Sequence, residues 1–172
     1  MAKNDVSALR AARGVVFVHA SPKAACAHFE WAVSRVLGAP VNFEWTSQPA
    51  ERGAMRTDFA WEGPAGSGAA IAAAIAGWES FRVEVTELAP DGTGQRWMYT
   101  PTLGMHHAQT DAVGNLVVTE DRIRAVLDQA HLDALAIHSG LRAALGEAWD
   151  DELEPFRMAQ DVAPVVWLHQ VG

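Results

Sequence analysis

The most constraining feature of the sequence is an unbroken apolar run, VVFV, at residues 15–18. Because polar residues do not alternate with it, a strand here needs cover on both of its faces. Ser21 and Pro22 follow, and this pair is typical of a helix N-terminus, since the hydroxyl accepts from free backbone N–H groups and proline has no N–H to lose. We therefore predict a central strand that leads directly into a capped helix.

Residues 25–90 alternate between helical and strand periodicity. Apolar residues recur every three or four positions at 25–36 and 71–78, which predicts two helices, the second capped by Ser67. Apolar and polar residues alternate at 41–46, 55–61 and 81–86, which predicts three half-buried strands. The resulting order, β-α-β-β-α-β, is that of a ferredoxin-like fold, whose right-handed crossovers place both helices on one face of the sheet.

We interpret the C-terminal half as an elaboration of this unit, because no linker precedes it. Strand patterns at 95–100, 105–110 and 116–118 predict a β-hairpin and a further strand, and helical patterns follow to about residue 145. A short helix around Trp149 should stop at Pro155, and 165–168 predict a last strand. We predict one α+β domain over 1–172: an arm at 1–12, a ferredoxin-like core at 13–90, and an elaboration at 91–172 that covers the second sheet face.

Composition excludes several classes of partner. With 49% hydrophobic and 20% charged residues, the chain has the proportions of a globular protein. Its formal net charge of −8 argues against binding to nucleic acid or to an anionic membrane, both of which need clustered Lys and Arg. The single cysteine, Cys26, cannot form an internal disulfide, and the longest apolar run, 69–78, is too short to span a bilayer. We therefore expect a cytoplasmic protein.

The loop at 63–68 is the first candidate site, with Gly63, Gly66, Ser67 and Gly68. It follows a strand and opens a helix, a context in which backbone N–H groups hold phosphate or another small anion. Its spacing matches neither a P-loop nor a dinucleotide-binding fingerprint, so a simple capped turn is the competing interpretation.

Histidines and an arginine provide the remaining candidates for ligand binding. We group His19, Arg96 and His106 with the glycine loop as the residues from which a small-molecule site would be built. Neighbouring histidines do not indicate a metal, because the side chains of His106 and His107 point to opposite faces of a strand. Cys26 lies beside an apolar stripe and reads as a core thiol. We expect no metal and no cofactor.

Tryptophan is abundant, with seven residues in the chain. Trp97, Trp149 and Trp167 fall in the C-terminal half, where the pattern assigns burial least clearly. Because aromatic side chains dominate the binding energy of protein interfaces, we predict that a partner surface or a homo-oligomer contact includes at least one of them.

Several short strings in combination resemble an actinobacterial family known as Domain of Unknown Function 3145. The strings that carry this resemblance lie at 13–19, 28–32, 63–64, 81–87, 94–97 and 148–155. The resemblance covers nearly the whole chain from Arg13 and implies an actinobacterial cytoplasmic protein. It implies no activity, ligand or catalytic residue.

No constellation in the sequence matches a specific catalytic pattern. The leading hypothesis is a non-catalytic binding or regulatory protein that acts through a protein surface or a small-ligand cleft between sheet and helix. One alternative is a small-molecule enzyme with an anion site at the 63–68 loop. Another is a structural subunit of a larger assembly, which requires a large exposed apolar patch.

Overall fold

A computed structural model describes residues 11–159, which form seven strands and five α-helices. The strands make one antiparallel sheet in the order β2-β3-β1-β4-β5-β6-β7. They are β1 (Ala11–Pro22), β2 (Thr46–Ser47), β3 (Ala54–Pro64), β4 (Arg82–Leu88), β5 (Gly94–Thr100), β6 (Gly104–Thr110) and β7 (Leu116–Val117). The helices are α1 (Cys26–Leu37), α2 (Ser67–Ile75), α3 (Glu120–Ala130), α4 (Ala134–Leu145) and α5 (Glu147–Met158). Most of the predicted arm, the predicted strand at 165–168 and Trp167 lie outside the described residues.

The hydrophobic core lies between one face of the sheet and the helices α1 and α2. From β1 the core receives Val16 and Val18, which are buried as the apolar run predicts. Phe29 of α1 and Ile71 of α2 pack against them and are fully buried. Each such side chain stabilises the fold by about 1.5–3 kcal/mol when it leaves water, so the helical periodicities at 25–36 and 71–78 identify the core-facing sides.

The first helix begins later than the sequence predicts. Strand β1 continues through Ser21 to Pro22, a 3₁₀ turn covers Lys23–Ala25, and α1 starts at Cys26. The hydroxyl of Ser21 donates to the Pro22 carbonyl oxygen at 3.1 Å rather than capping a helix. Ser21 is fully buried within the sheet, so pairing with its neighbours outweighs the local capping preference.

The strand predicted at 41–46 is wrong except at its last position. Only Thr46–Ser47 pairs with β3. The backbone N–H of Val41 donates to Ser34 Oγ at 3.0 Å and that of Phe43 to Glu30 Oε1 at 3.2 Å. These side chains of α1 hold the segment 41–45 against the helix and away from the strand ladder, although its side chains alternate as in a strand.

The second face of the sheet is covered only in part. Helix α5 packs over β1 and β5, where it buries Leu153 completely. Pro155 does not stop this helix, which continues to Met158. Toward the other end of β1, Val15 remains half-exposed. The C-terminal half therefore covers one end of this face and leaves the other end open.

Helices α3 and α4 pack mainly against each other. They leave Ile123 and Leu127 exposed, and Leu135 is 81% exposed. None of the helices between residues 11 and 159 is long and apolar enough to cross a bilayer.

Candidate functional site

A β-bulge in the central strand lies at His19, whose side chain is on the second face of the sheet with that of Phe17. The pairing register of β1 shifts after Val18 against both β3 and β4. The His19 carbonyl oxygen accepts a hydrogen bond from Gln48 Nε2 at 2.7 Å, and the same amide donates to the Phe156 carbonyl oxygen of α5 at 3.3 Å. Bulges commonly redirect a side chain next to a functional site. Here the bulge and Gln48 together join β1 to α5.

His19, Glu84, Arg96, Asp150 and Arg157 form a buried ion network, which we call the Glu84 cluster. Glu84 Oε2 lies 3.3 Å from His19 Nε2 and accepts from Arg157 Nη2 at 2.7 Å. Glu84 Oε1 accepts from Arg96 Nε at 2.8 Å. Asp150 Oδ1 accepts from Arg96 Nη2 at 2.8 Å and from Arg157 Nη1 at 3.0 Å. Both arginines therefore bridge the two carboxylates, and the network fixes α5 on the sheet.

The cluster holds Glu84 ionised. Burial alone would raise the pKa of Glu84, but the hydrogen bond from His19 and the positive charges of Arg96 and Arg157 outweigh it. Together they hold the pKa well below its ordinary value of 4.5. Burial acts to lower the pKa of Arg157, but the Glu84 and Asp150 carboxylates outweigh it, so the pKa lies above its ordinary value. A carboxyl group acts as a general acid or base near neutral pH only if its pKa lies near that pH, so Glu84 is unsuited to proton transfer.

Acid is expected to destabilise the protein through this cluster. Since the pKa of Glu84 is lowered on folding, its contribution is complete above the unfolded value of 4.5 and is lost as the pH falls below it. Urea denaturation at steps between pH 7 and pH 3 should show the unfolding free energy falling most steeply below about pH 4.5. The Glu84→Gln variant should show a shallower acid slope, and an unchanged slope would contradict this assignment.

His106 lies beside the cluster in an apolar environment. It is buried against the Trp149 ring, with 4.7 Å between ring centroids. Burial lowers the pKa of His106, and the positive charges of Arg122 and Arg96 lower it further. His106 Nε2 has no hydrogen-bond partner among residues 11–159. The lowered pKa favours the neutral form of this imidazole.

The glycine loop at 63–68 already binds a carboxylate from the same chain. The carboxylate of Glu87 on β4 accepts from the backbone N–H groups of Gly66 and Gly68, both at 2.7 Å. Ser67 donates its hydroxyl to the Pro64 carbonyl oxygen instead of capping α2. Because a buried carboxylate occupies these N–H groups, the loop is not free to hold phosphate.

A cleft of about 580 Å³ lies on the open part of the second sheet face, next to the Glu84 cluster. Val15, Ala60, Thr86 and Leu88 line it together with Arg96, and most of its exposed lining is apolar. Thr86 Oγ1 accepts a hydrogen bond from the backbone N–H of Val15 at 3.0 Å. This side chain therefore links β4 to β1 at the floor of the cleft.

Arg13 stands at the edge of this cleft and is exposed. Within the described part of the chain it makes no ion pair at 4.0 Å or less, whereas Arg96 is bound to two carboxylates. The cleft therefore combines an apolar surface with one cation that is available to a ligand.

A family model described as "Protein of unknown function (DUF3145)" matches residues 15–170. The chain belongs to this family. No curated protein and no solved structure matches the chain. The match confirms the family expected from the short strings in the sequence. Apart from Arg13 and Gly14, the cleft and the Glu84 cluster lie within the part of the chain that DUF3145 describes.

The structure brings together some of the ligand-binding residues predicted for this DUF3145 protein. His19 and Arg96 meet at Glu84, and His106 is their neighbour. Gly63, Gly66, Ser67 and Gly68 are elsewhere: they bind Glu87, which is three residues from Glu84 and so points to the opposite face of β4. Over residues 11–159, no group of three or more His, Cys, Asp or Glu side chains is placed to hold a metal ion.

Of the three tryptophans predicted for a partner surface, the two within residues 11–159, Trp97 and Trp149, are not freely exposed. Trp97 is half-buried and stacks on His107 with 5.0 Å between ring centroids. Trp149 is half-buried and donates Nε1–H to the Gly104 carbonyl oxygen at 3.0 Å. Trp31 of α1 is instead 53% exposed.

Four residues of this region, Glu84, Gln48, Asp150 and Arg157, are absent from the predicted site. For Glu84 the sequence holds a signal, since a charged residue between Val83 and Val85 in a central strand must be compensated when buried. The sequence gives no such signal for Gln48 or Arg157, because their partners lie far away in the chain. Arg157 and Glu84, for example, are 73 residues apart.

Proposed function

We propose that this DUF3145 protein is a non-catalytic binding protein whose ligand is a small organic molecule with an apolar body and one acidic group. The observation that carries the proposal is the cleft of about 580 Å³ on the second sheet face, with its apolar floor and Arg13 at the edge. This volume is in the range of small-molecule sites, which are mostly apolar with few polar groups that orient the ligand.

An acidic group suits the charges around the cleft. The other charged residues along the cleft already have partners: Glu84 and Arg96 bind each other, and the Glu87 carboxylate binds the glycine loop on the opposite face of β4. Asp111 accepts from backbone N–H groups of its own turn, including that of Asn115. Arg13 is the cation left for a carboxylate, and an arginine binds a carboxylate through two parallel hydrogen bonds.

We propose a non-catalytic role because Glu84 is not suited to proton transfer and Cys26 is not suited to nucleophilic attack. Glu84 has its charge compensated and its pKa far from neutrality. Burial raises the pKa of the Cys26 thiol, which opposes formation of the reactive thiolate. The alternative of an enzyme with an anion site at 63–68 loses support because Glu87 fills that position.

Two wider predictions accompany the proposal. A regulatory role would follow if ligand binding changed the contacts of α5, whose docking depends on Arg96 at the end of the cleft. A cytoplasmic location is consistent with a single buried cysteine, which forms no disulfide within the chain. The actinobacterial origin implied by the resemblance stays a prediction.

We also infer that β1 to β4 with α1 and α2 form a ferredoxin-like unit. Two observations support this assignment: the antiparallel order β2-β3-β1-β4, and the position of both helices on the core side of the sheet. Strands β5 to β7 then extend that sheet beyond β4.

The ligand proposal can be tested by NMR with a set of small aromatic and aliphatic carboxylates and their uncharged amides. We expect carboxylates to shift the amide resonances of Val15, Thr86 and Leu88, and to bind at least fivefold more tightly than the matched amides. The Arg13→Gln variant should remove the preference for the acid, and Val15→Trp should weaken both series at least tenfold by filling the floor.

The Ala73→Trp variant provides a matched control, because Ala73 is exposed on α2 in the other layer of the fold. It should bind like the wild-type protein. Equal weakening by Ala73→Trp and Val15→Trp would overturn the assignment of the cleft, as would shifts confined to residues outside it.

A further inference from the structure

The outer edge of β3 is open over most of its length. β3 spans Ala54–Pro64, yet β2 pairs only with Met55 and Arg56. In the described part of the chain, no strand pairs with this edge from Thr57 onward. Alternate residues of a strand direct their N–H and C=O groups to opposite sides, so this edge offers a row of unpaired backbone groups.

A polar groove of about 540 Å³ follows this edge. Its other wall is the segment 42–46, which α1 holds away from β3 through Glu30 and Ser34. Arg56, Asp58 and Ala60 line the β3 side. The groove therefore exists because the predicted strand at 41–46 binds to the helix instead of completing the ladder.

The groove carries two carboxylates, one on each wall. Glu44 lies on the segment 42–46 and Asp58 lies on β3. Both side chains are exposed, and neither forms an ion pair with a described residue. Two unpaired carboxylates that line one groove favour a positive charge between them.

Two further polar atoms in the groove lack partners. Arg56 Nη1 and Thr57 Oγ1 are buried and make no hydrogen bond with described residues. A buried donor or hydroxyl without a partner is energetically unfavourable. Arg56 lies on the same face of β3 as Asp58, where a carbonyl oxygen of an incoming backbone would accept from its guanidinium, whereas Thr57 lies on the core face.

We propose that this groove binds an extended segment of a partner protein that carries lysine or arginine. The backbone of the segment pairs with the outer edge of β3, and its basic side chain lies between Glu44 and Asp58. Strand addition of this kind takes its affinity from main-chain hydrogen bonds and its specificity from alternate side chains. The groove and the ligand cleft share Ala60, but none of the other residues that carry this inference lines the cleft.

A second copy of the same chain fits this groove less well. β3 carries Asp58 and Glu62 on the same face, and both are exposed. Antiparallel pairing of two β3 edges about Ala60 would set Asp58 of each copy against Glu62 of the other, so that like charges face each other. A basic segment provides the complementary charge.

Three labelled eight-residue peptides test the proposal by fluorescence anisotropy. The first alternates lysine with valine, the second alternates glutamate with valine, and the third is the lysine peptide with proline at its two central valines. We expect the lysine peptide to bind at least tenfold more tightly than either of the others, since glutamate is repelled and proline removes backbone donors. Hydrogen exchange should show new protection at residues 57–62.

Two variants with the same change in net charge separate the groove from general electrostatics. The Glu44→Lys/Asp58→Lys variant should weaken the lysine peptide at least tenfold and favour the glutamate peptide. The Asp121→Lys/Asp128→Lys variant changes exposed residues of α3 and should keep at least a third of the wild-type affinity. The Arg13→Gln variant changes the cleft at a residue that does not line the groove and should bind the lysine peptide normally, which separates this test from that of the cleft.

Several results would overturn the proposal. These are equal binding of the proline peptide, equal weakening by the two charge variants, or protection mapped to another part of the protein. A wild-type dimer that protects residues 57–62 without peptide would also overturn it, because the occupant would then be a second copy.

Discussion

Replacement of Gly14 by alanine is expected to destabilise the protein by at least about 3 kcal/mol, the upper part of the range for overpacking. A Cβ at this position would lie 1.8 Å from the Thr86 carbonyl oxygen and 2.7 Å from Cζ2 of Trp61. The first contact is with backbone, so relief requires β1 and β4 to separate at the floor of the cleft. Urea denaturation measures the change directly.

Gly63→Ala is the matched control for this substitution. Its added Cβ would meet Ser67 Oγ at 3.1 Å and Leu37 Cδ2 at 3.4 Å, both on side chains that can move. We expect a change within about 1 kcal/mol. Recovery of Gly14→Ala only in unfolded form would agree with the expectation, whereas stability within 1 kcal/mol of wild type would show that the strands at Gly14 are less closely apposed.

Replacement of Glu84 by glutamine is expected to cost about 3–5 kcal/mol at pH 7, as is typical when one partner of a buried ion pair is removed. Glutamine preserves the size of the side chain but leaves Arg96 with Asp150 alone, and Arg157 with Asp150 and the exposed Glu154. The variant should unfold at a lower urea concentration with little change in the slope of the transition.

A double-mutant cycle with Arg157→Gln tests whether the charges act together. Removing both members of the pair should cost at least about 1 kcal/mol less than the sum of the single changes. Glu62→Gln alters an exposed carboxylate of the sheet and should change stability by less than about 0.5 kcal/mol. Additive single effects would assign the loss to packing rather than to the ion network.

The parts of the fold that follow from local periodicity were predictable. The apolar run at 15–18 forms part of the central strand, and Phe29 and Ile71 face the core because one side of each helix is apolar. Turn residues likewise separate β5, β6 and β7 as the pattern indicates. These elements depend on neighbours in sequence, whose spacing can be read directly.

The failures have tertiary causes. Segment 41–45 alternates like a strand, but Glu30 and Ser34 of α1 bind its N–H groups. Ser67 has the position of a cap, but a carboxylate 20 residues later takes that role. Pro155 was expected to end α5, yet the helix continues through it. In the first two cases a side chain from another helix or strand binds the backbone N–H groups, and this contact outweighs the local preference for a strand or for a serine cap.

The candidate site was predictable only in fragments. His19, Arg96 and His106 do lie close together, but their relation depends on Glu84 and on Arg157, which α5 brings in from the end of the described chain. The size of the cleft depends on how far α5 extends over the sheet. The spacing of residues in the sequence does not predict that distance.

The contact between Glu87 and the glycine loop also bears on the order in which the chain folds. Helix α2 has nine residues, too few for a stable isolated helix in water, and no side chain of its own first turn caps it. Its first N–H groups acquire an acceptor only when β4 has joined the sheet. Helix and strand should therefore become structured in the same step, and a peptide that ends before Glu87 should hold no helix at this position.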